Sequence, residues 1–134
     1  MTVFTTSRKP LPEVRSLSRD MAFAIGAEYV TRGKSSLGDL FALDPSIVIV
    51  SRSGPIFLVQ VFVNEEPMVE FAVRSFSVEE RAGEITRGLF VSGRPLYEAL
   101  KDLLDVAYAG EALPAHRIVF DGRQRKRYVL EVPG

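Results

Sequence analysis

Residues 47–50 read Ile-Val-Ile-Val, an unbroken run of β-branched residues in the first half of the chain. A strand with no polar face is typical of a position covered on both sides. We therefore expect this strand to lie at the centre of a sheet. The apolar segments 56–63 and 68–76 are separated by turn residues 64–67, and this pattern predicts a hairpin beside the central strand.

Helices and strands alternate on either side of this region. Upstream, the sequence predicts a strand over 2–6, a helix over 12–25 that stops at Gly26, a strand over 27–30 and a short helix from 35 or 36 to 41. Downstream, it predicts a polar connection over 77–88, a strand over 89–91, a helix from 95 that ends at Gly110, and two strands over 117–120 and 128–132.

This order of elements predicts an α/β fold, bordering on α+β, with a mixed sheet and packed helices. Each half offers a strand, an amphipathic helix and a returning strand, so the two halves are loosely similar. The length of 134 residues and the 46% apolar content favour a single domain over residues 1–134.

The charges cancel overall but are unevenly placed along the chain. Lys and Arg number 17, as do Asp and Glu. Residues 1–52 carry seven basic and five acidic side chains, residues 112–134 carry five and two, and residues 64–111 carry five and ten. The two positive ends predict a shared basic surface if they meet in the sheet, as we expect; solvated charge is the alternative.

Composition excludes several classes of function. The chain has no Cys and a single His, so disulfides, thiolate catalysis and Cys-based zinc sites are excluded, and we expect no metal site. No apolar run approaches the ~20 residues of a membrane span, and the N-terminus lacks the apolar stretch of a secretory signal. We therefore expect no membrane association and a cytoplasmic location.

The residues that could support catalysis lack the partners that catalysis needs. Gly33-Lys34-Ser35 resembles the tail of a phosphate-binding loop, but Glu28 stands where that motif requires glycine. His116 has no evident orienting carboxylate or nucleophile. We therefore expect no catalytic residue, no cofactor and no nucleotide, and interpret the chain as a protein that is not an enzyme.

Basic residues are concentrated where the backbone turns. Arg15 and Arg19 lie four apart on the first helix, and glycine in the loop at 31–34 lets backbone approach a phosphate. These positions predict contacts to RNA phosphates. The candidates are Arg8, Lys9, Arg15, Arg19, Arg32, Lys34, Arg52, Arg123, Arg125 and Arg127.

Two segments resemble a known family. Residues 5–10 (TTSRKP) and 27–34 (AEYVTRGK), followed by Leu37, Leu40 and the apolar strand 47–50, are similar to the Brix-domain proteins of ribosome biogenesis, in particular the short, single-domain archaeal type. The resemblance covers the first half best. It implies two halves, each similar to the anticodon-binding domain of a class of aminoacyl-tRNA synthetases.

The resemblance also implies a function in ribosome assembly. We expect a non-catalytic factor that binds ribosomal RNA or its precursor during rRNA processing and subunit assembly. The chain lacks the aromatic signature of RNA-recognition motifs, so phosphates and RNA shape should dominate over base reading. The alternative is a protein interaction module whose acidic middle segment docks on a ribosomal or assembly protein.

Overall fold

The computed structural model describes residues 2–133, and the first half of that range forms a five-stranded mixed sheet. Its elements are β1 (Thr2–Thr6), α1 (Pro12–Ile25), β2 (Glu28–Tyr29), α2 (Leu37–Phe41), β3 (Ser46–Ser53), β4 (Ile56–Val63) and β5 (Glu66–Val73). The strand order is β2-β1-β3-β4-β5. β1 runs parallel to both of its neighbours, and β3, β4 and β5 follow as antiparallel strands.

Strong local signals explain the first half. Residues 47–50 are almost completely buried within β3, which confirms the predicted central strand. Helix α1 has Pro12 in its first turn and ends at Gly26, whose φ of 71° lies in the left-handed region that glycine adopts easily. Ser36 caps α2 through a reciprocal pair of hydrogen bonds with Asp39.

The second half forms another five-stranded mixed sheet. Its elements are β6 (Ser75–Glu80), β7 (Leu89–Val91), α3 (Arg94–Leu100), β8 (Val106–Tyr108), a 3-10 helix (Gly110–Ala112), β9 (Arg117–Asp121) and β10 (Lys126–Glu131). The strand order is β6-β10-β9-β7-β8. Parallel β-α-β units, β1-α1-β2 and β7-α3-β8, occur one in each half.

The predicted α/β class with two similar halves is confirmed, but each half has its own sheet. β1 belongs to the first sheet and β10 to the second, so the expectation that the two ends meet in one sheet is wrong. The likeness of each half to an anticodon-binding domain stays a prediction. Helix α1 joins the halves because it packs against strands of both sheets, and one apolar core contains side chains from both.

The chain crosses between the sheets where we predicted the end of one strand. The backbone N–H of Arg74 donates a hydrogen bond to the carbonyl of Glu131, 2.8 Å away, and residues 75–80 then pair with β10. The predicted strand over 68–76 is therefore divided, and the predicted connection over 77–88 begins with β6. The sequence of this edge strand is polar because only part of one face is covered, with Phe76 packed against the core.

Helix α3 is much shorter than predicted. It ends at Leu100, and the chain turns through residues 101–104 before it enters β8. Leu100 and Leu104 are buried, which continues the apolar stripe without continuing the helix. Residues 106–108 form a strand because they pair with β7, although the local apolar spacing predicted that they belong to the helix.

Within residues 2–133, no helix is long and apolar enough to cross a membrane.

Candidate nucleic-acid interface

A groove lies at the carboxyl ends of the parallel strands β1 and β2, beside the start of α1. In open α/β sheets, ligands commonly bind at this end of the strands. The cavity has a volume of about 620 Å³ and is lined by five of the predicted cations. We call it the basic groove; its lining residues are Thr6, Arg8, Lys9, Pro10, Arg15, Tyr29, Thr31, Arg32, Gly33 and Lys34.

Arg32 holds the walls of the basic groove together. Its Nε donates to the carbonyl of Ser35 at 2.8 Å, and one terminal nitrogen donates to the carbonyl of Thr6 at 3.0 Å. The residue is only 9% exposed, and burial together with the charge of Arg8 lowers the pKa of Arg32. Arg32 is therefore first a structural residue, which the sequence pattern did not distinguish from a surface cation.

Two left-handed residues shape the loops of the groove. Lys9 has a φ of 52° and Gly33 a φ of 53°. A Cβ on Gly33 would meet nothing within 4 Å, so glycine is favoured there by its backbone conformation and not by lack of space. Lys9 holds the same conformation with a side chain, which is uncommon and costs free energy.

Four cations of the groove are free of ion pairs within residues 2–133, namely Arg8, Lys9, Arg15 and Lys34. One of these cations, Arg8, affects the pKa of an acidic side chain, that of Asp39 on α2. Hydrogen bonds from Ser36 lower the pKa of Asp39, and the charge of Arg8 lowers it further. Of the described residues that line the groove, none is acidic, so the groove can accept an anion without displacing an internal partner.

Comparisons with known proteins support this architecture. No family model matches the chain. The chain is 31% identical, over 113 residues, to a Methanothermobacter thermautotrophicus protein named "Probable Brix domain-containing ribosomal biogenesis protein". The match includes 84% of this chain and 62% of that relative, so the chain spans less than two thirds of the relative's length.

Two solved structures have the same fold. Mil, an archaeal Imp4-like protein, aligns over 98% of this chain and 97% of its own, with a TM-score of 0.68 and 20% identity. A structure named "probable ribosomal biogenesis protein", from Aeropyrum pernix K1, aligns over 98% and 94%, with a TM-score of 0.65 and 21% identity. The resemblance to Brix-domain proteins is confirmed. The fold described above is thus a Brix-like fold.

In this Brix-like fold, Tyr29 and Arg19 adjoin the basic groove. Tyr29 lines the groove, and the guanidinium of Arg19 lies over its ring, 5.0 Å from the centroid. Arg19, a predicted contact, does not line the groove itself but packs on the tyrosine ring that does. Sequence reasoning missed Tyr29, although an aromatic residue two positions before a Thr-Arg-Gly-Lys loop was a usable signal.

Arg52 lies at the carboxyl end of β3 but does not line the groove. One of its terminal nitrogens donates to Glu13 at 2.6 Å, and its guanidinium lies 5.6 Å from the ring centroid of Phe57. The Glu13 carboxylate neutralises this cation. Arg52 is therefore less available to an anion than the four unpaired cations.

The structure does not bring the C-terminal cations into the basic groove. Arg123 donates through Nε to Asp20 at 2.8 Å, and Arg127 donates through Nε to Asp121 at 2.9 Å. Arg125 has a φ of 58° and lines a different cavity with Glu80. Two of the three predicted contacts here are paired with buried acids.

The acids that pair with these arginines are part of the core. Asp20 on α1 is fully buried and also accepts hydrogen bonds from the backbone of Arg123 and the hydroxyl of Tyr128. Asp121 also accepts from the backbone N–H of Thr86 at 2.8 Å. Burial alone would raise the pKa of Asp121, but the hydrogen bonds from Arg127 and Thr86 lower it. Arg123 thus connects α1 of the first half to the second half, whereas Arg127 stabilises the pairing of β9 and β10 within the second half.

Proposed function

We propose that the chain is a non-catalytic factor of ribosome biogenesis that binds ribosomal RNA or its precursor through the basic groove. The observation that carries this proposal is the set of four unpaired cations around a groove in which none of the described lining residues is acidic. The name of the Methanothermobacter relative supports the ribosome biogenesis part. The proposal includes a single Brix-like domain over residues 1–134, a cytoplasmic location, and action without a nucleotide or metal.

Phosphate neutralisation is the expected source of affinity. Each cation that contacts a phosphate releases counterions, so the affinity falls as salt rises, with a slope of about 0.7–0.9 per contact. Such contacts do not depend on sequence. Binding through the groove should therefore tolerate many RNA sequences.

The test compares two triple variants that remove equal charge. Arg8→Ala, Lys9→Ala and Lys34→Ala empty the groove of three unpaired cations, whereas the control, Arg74→Ala, Arg94→Ala and Lys101→Ala, removes three cations that form exposed ion pairs. Affinity for a structured ribosomal RNA fragment is measured at several salt concentrations. We expect the groove variant to lower the salt slope by about two units.

The control variant should keep the parent's salt slope within about half a unit, because its cations already have acidic partners. If both variants change binding equally, affinity comes from net charge and the groove is not the site. If the parent itself binds no ribosomal RNA at near-physiological salt, the proposed function is wrong.

A second candidate function is docking of a basic protein. β5 is one edge strand of the first sheet and β6 is one edge strand of the second, and both carry exposed glutamates. The members of this acidic edge are Glu66, Glu70, Glu79 and Glu80. Unpaired strand edges with one sign of charge suit a partner of opposite charge. Changing these four residues to Gln should abolish binding of a basic ribosomal protein and leave RNA binding intact if this function is real.

A further inference from the structure

The position of Tyr29 adds an aromatic surface to the cationic groove. Tyr29 is the last residue of β2, and its register partner on β1 is the buried Phe4. Part of the side chain packs against the main core, and part lines the groove. Of the described residues that line the groove, Tyr29 alone is aromatic.

Neighbouring groups hold this ring in place. The guanidinium of Arg19, which does not line the groove, lies over the ring, and part of the side chain packs against the main core, so the groove borders the part of the ring that neither covers. A ring that is already ordered loses little conformational entropy when a second planar group stacks on it. Tyr29 is therefore a prepared stacking surface beside unpaired cations.

An RNA duplex cannot use both features at once. Paired bases are stacked on one another, so a duplex along its length offers phosphates and base edges but no free base face. An unpaired nucleotide offers a base face and a phosphate within one residue's length, and proteins that bind single strands combine cations with aromatic stacking. The volume of about 620 Å³ lies within the range of small-molecule sites, and the groove can enclose a nucleotide but not a helix.

We propose that the basic groove takes an unpaired RNA nucleotide, with its base stacked on Tyr29 and its phosphates held by Arg8, Lys9 and Lys34. This inference rests on the proposed function and specifies the form of RNA that the groove selects. It adds base stacking to the phosphate contacts and RNA shape that we expected to dominate over base reading. Arg15, near the N-terminus of α1, is the fourth unpaired cation that lines the groove.

The experiment measures binding of a single-stranded ten-nucleotide RNA and of a blunt ten-base-pair RNA duplex at one salt concentration. We expect the parent to prefer the single strand at least fivefold. Tyr29→Leu should reduce single-strand affinity by between about fivefold and a hundredfold and leave duplex affinity unchanged. Tyr29→Phe keeps the ring and should bind both RNAs as the parent does.

A second measurement does not depend on whether Tyr29→Leu folds. A single strand that carries 2-aminopurine should lose fluorescence when the parent binds it, because stacking on an aromatic ring quenches this base. Unchanged fluorescence on binding, or equal affinity of the parent for single strand and duplex, would overturn the inference. Either result with RNA still bound leaves the proposed function standing, whereas a parent that binds neither RNA refutes both.

Discussion

The buried pair of Tyr128 and Asp20 provides the sharpest test of how the two halves are joined. The hydroxyl of Tyr128 donates a hydrogen bond to Oδ2 of Asp20, and the two residues are 1% and 0% exposed. Burial and the neighbouring carboxylate raise the pKa of Tyr128 above its usual value of about 10. The hydroxyl is therefore a donor at neutral pH, and water cannot replace it.

Tyr128→Phe removes this donor and keeps the ring, which stacks on Phe120. A hydrogen bond to a charged group contributes about 1.5–3 kcal/mol to the free energy of unfolding. The entropy of unfolding of a chain this long is about 0.28 kcal/mol/K at the midpoint. We therefore expect the substitution to lower the Tm by about 5–10 °C.

Urea unfolding and thermal unfolding, both followed by circular dichroism at pH 7, measure this loss. The matched control is Tyr108→Phe, because Tyr108 is 41% exposed and its hydroxyl forms no hydrogen bond to any other residue within 2–133. The control should change the free energy of unfolding by less than about 0.5 kcal/mol. If Tyr128→Phe is equally mild, the Tyr128–Asp20 bond does not stabilise the joint and this interpretation fails.

Three further predictions concern buried or constrained positions. Gly122→Ala should destabilise by about 1–3 kcal/mol in urea unfolding, because its Cβ would lie 2.9 Å from two side-chain atoms, while Gly38→Ala, whose Cβ would meet its nearest neighbour at 3.7 Å, should not. Asp121→Asn should destabilise by about 1–3 kcal/mol at pH 7. The folded-state pKa of Asp121 is lowered, so the carboxylate's contribution to the free energy of unfolding is present above pH ~4 and is lost as pH falls through that pKa. If Asp121→Asn and the parent differ in free energy of unfolding as much at pH 2 as at pH 7, this prediction is wrong. Arg32→Ala should cost about 1–3 kcal/mol in the same assay, because two carbonyls lose their donor, whereas Lys34→Ala should be nearly neutral; equal costs would refute the structural role of Arg32.

The elements that the sequence predicted correctly are those with strong local signals. The β-branched run 47–50 and the glycine at the end of α1 each constrain the backbone within a few residues. β8 was missed because residues 106–108 become a strand only by pairing with β7. β6 was missed because an exposed edge strand has little need of apolar residues.

The candidate site also combines features that local sequence predicts with features that depend on distant contacts. Of the predicted cations, those in the loops after β1 and β2, namely Arg8, Lys9, Arg32 and Lys34, line one groove together with Arg15 of α1. The burial of Arg32 and the pairing of Arg123 with Asp20 depend on contacts across 26 and 103 residues of sequence. No local pattern contains that information.

Zero net charge is compatible with binding of a polyanion because the cations differ in what surrounds them. In the second half, Arg123 and Arg127 face buried carboxylates, and their charge is used to hold α1 and the β9–β10 loop in place. In the first half, Arg8, Lys9 and Lys34 stand in loops whose shape is fixed by backbone conformation and by Arg32, so no acid is needed to order them. The acidic excess lies in the middle of the chain and is carried in part by the exposed edge strands β5 and β6. The fold therefore leaves one groove positive in a neutral protein, and its affinity for RNA should depend on these few side chains and not on the charge of the chain as a whole.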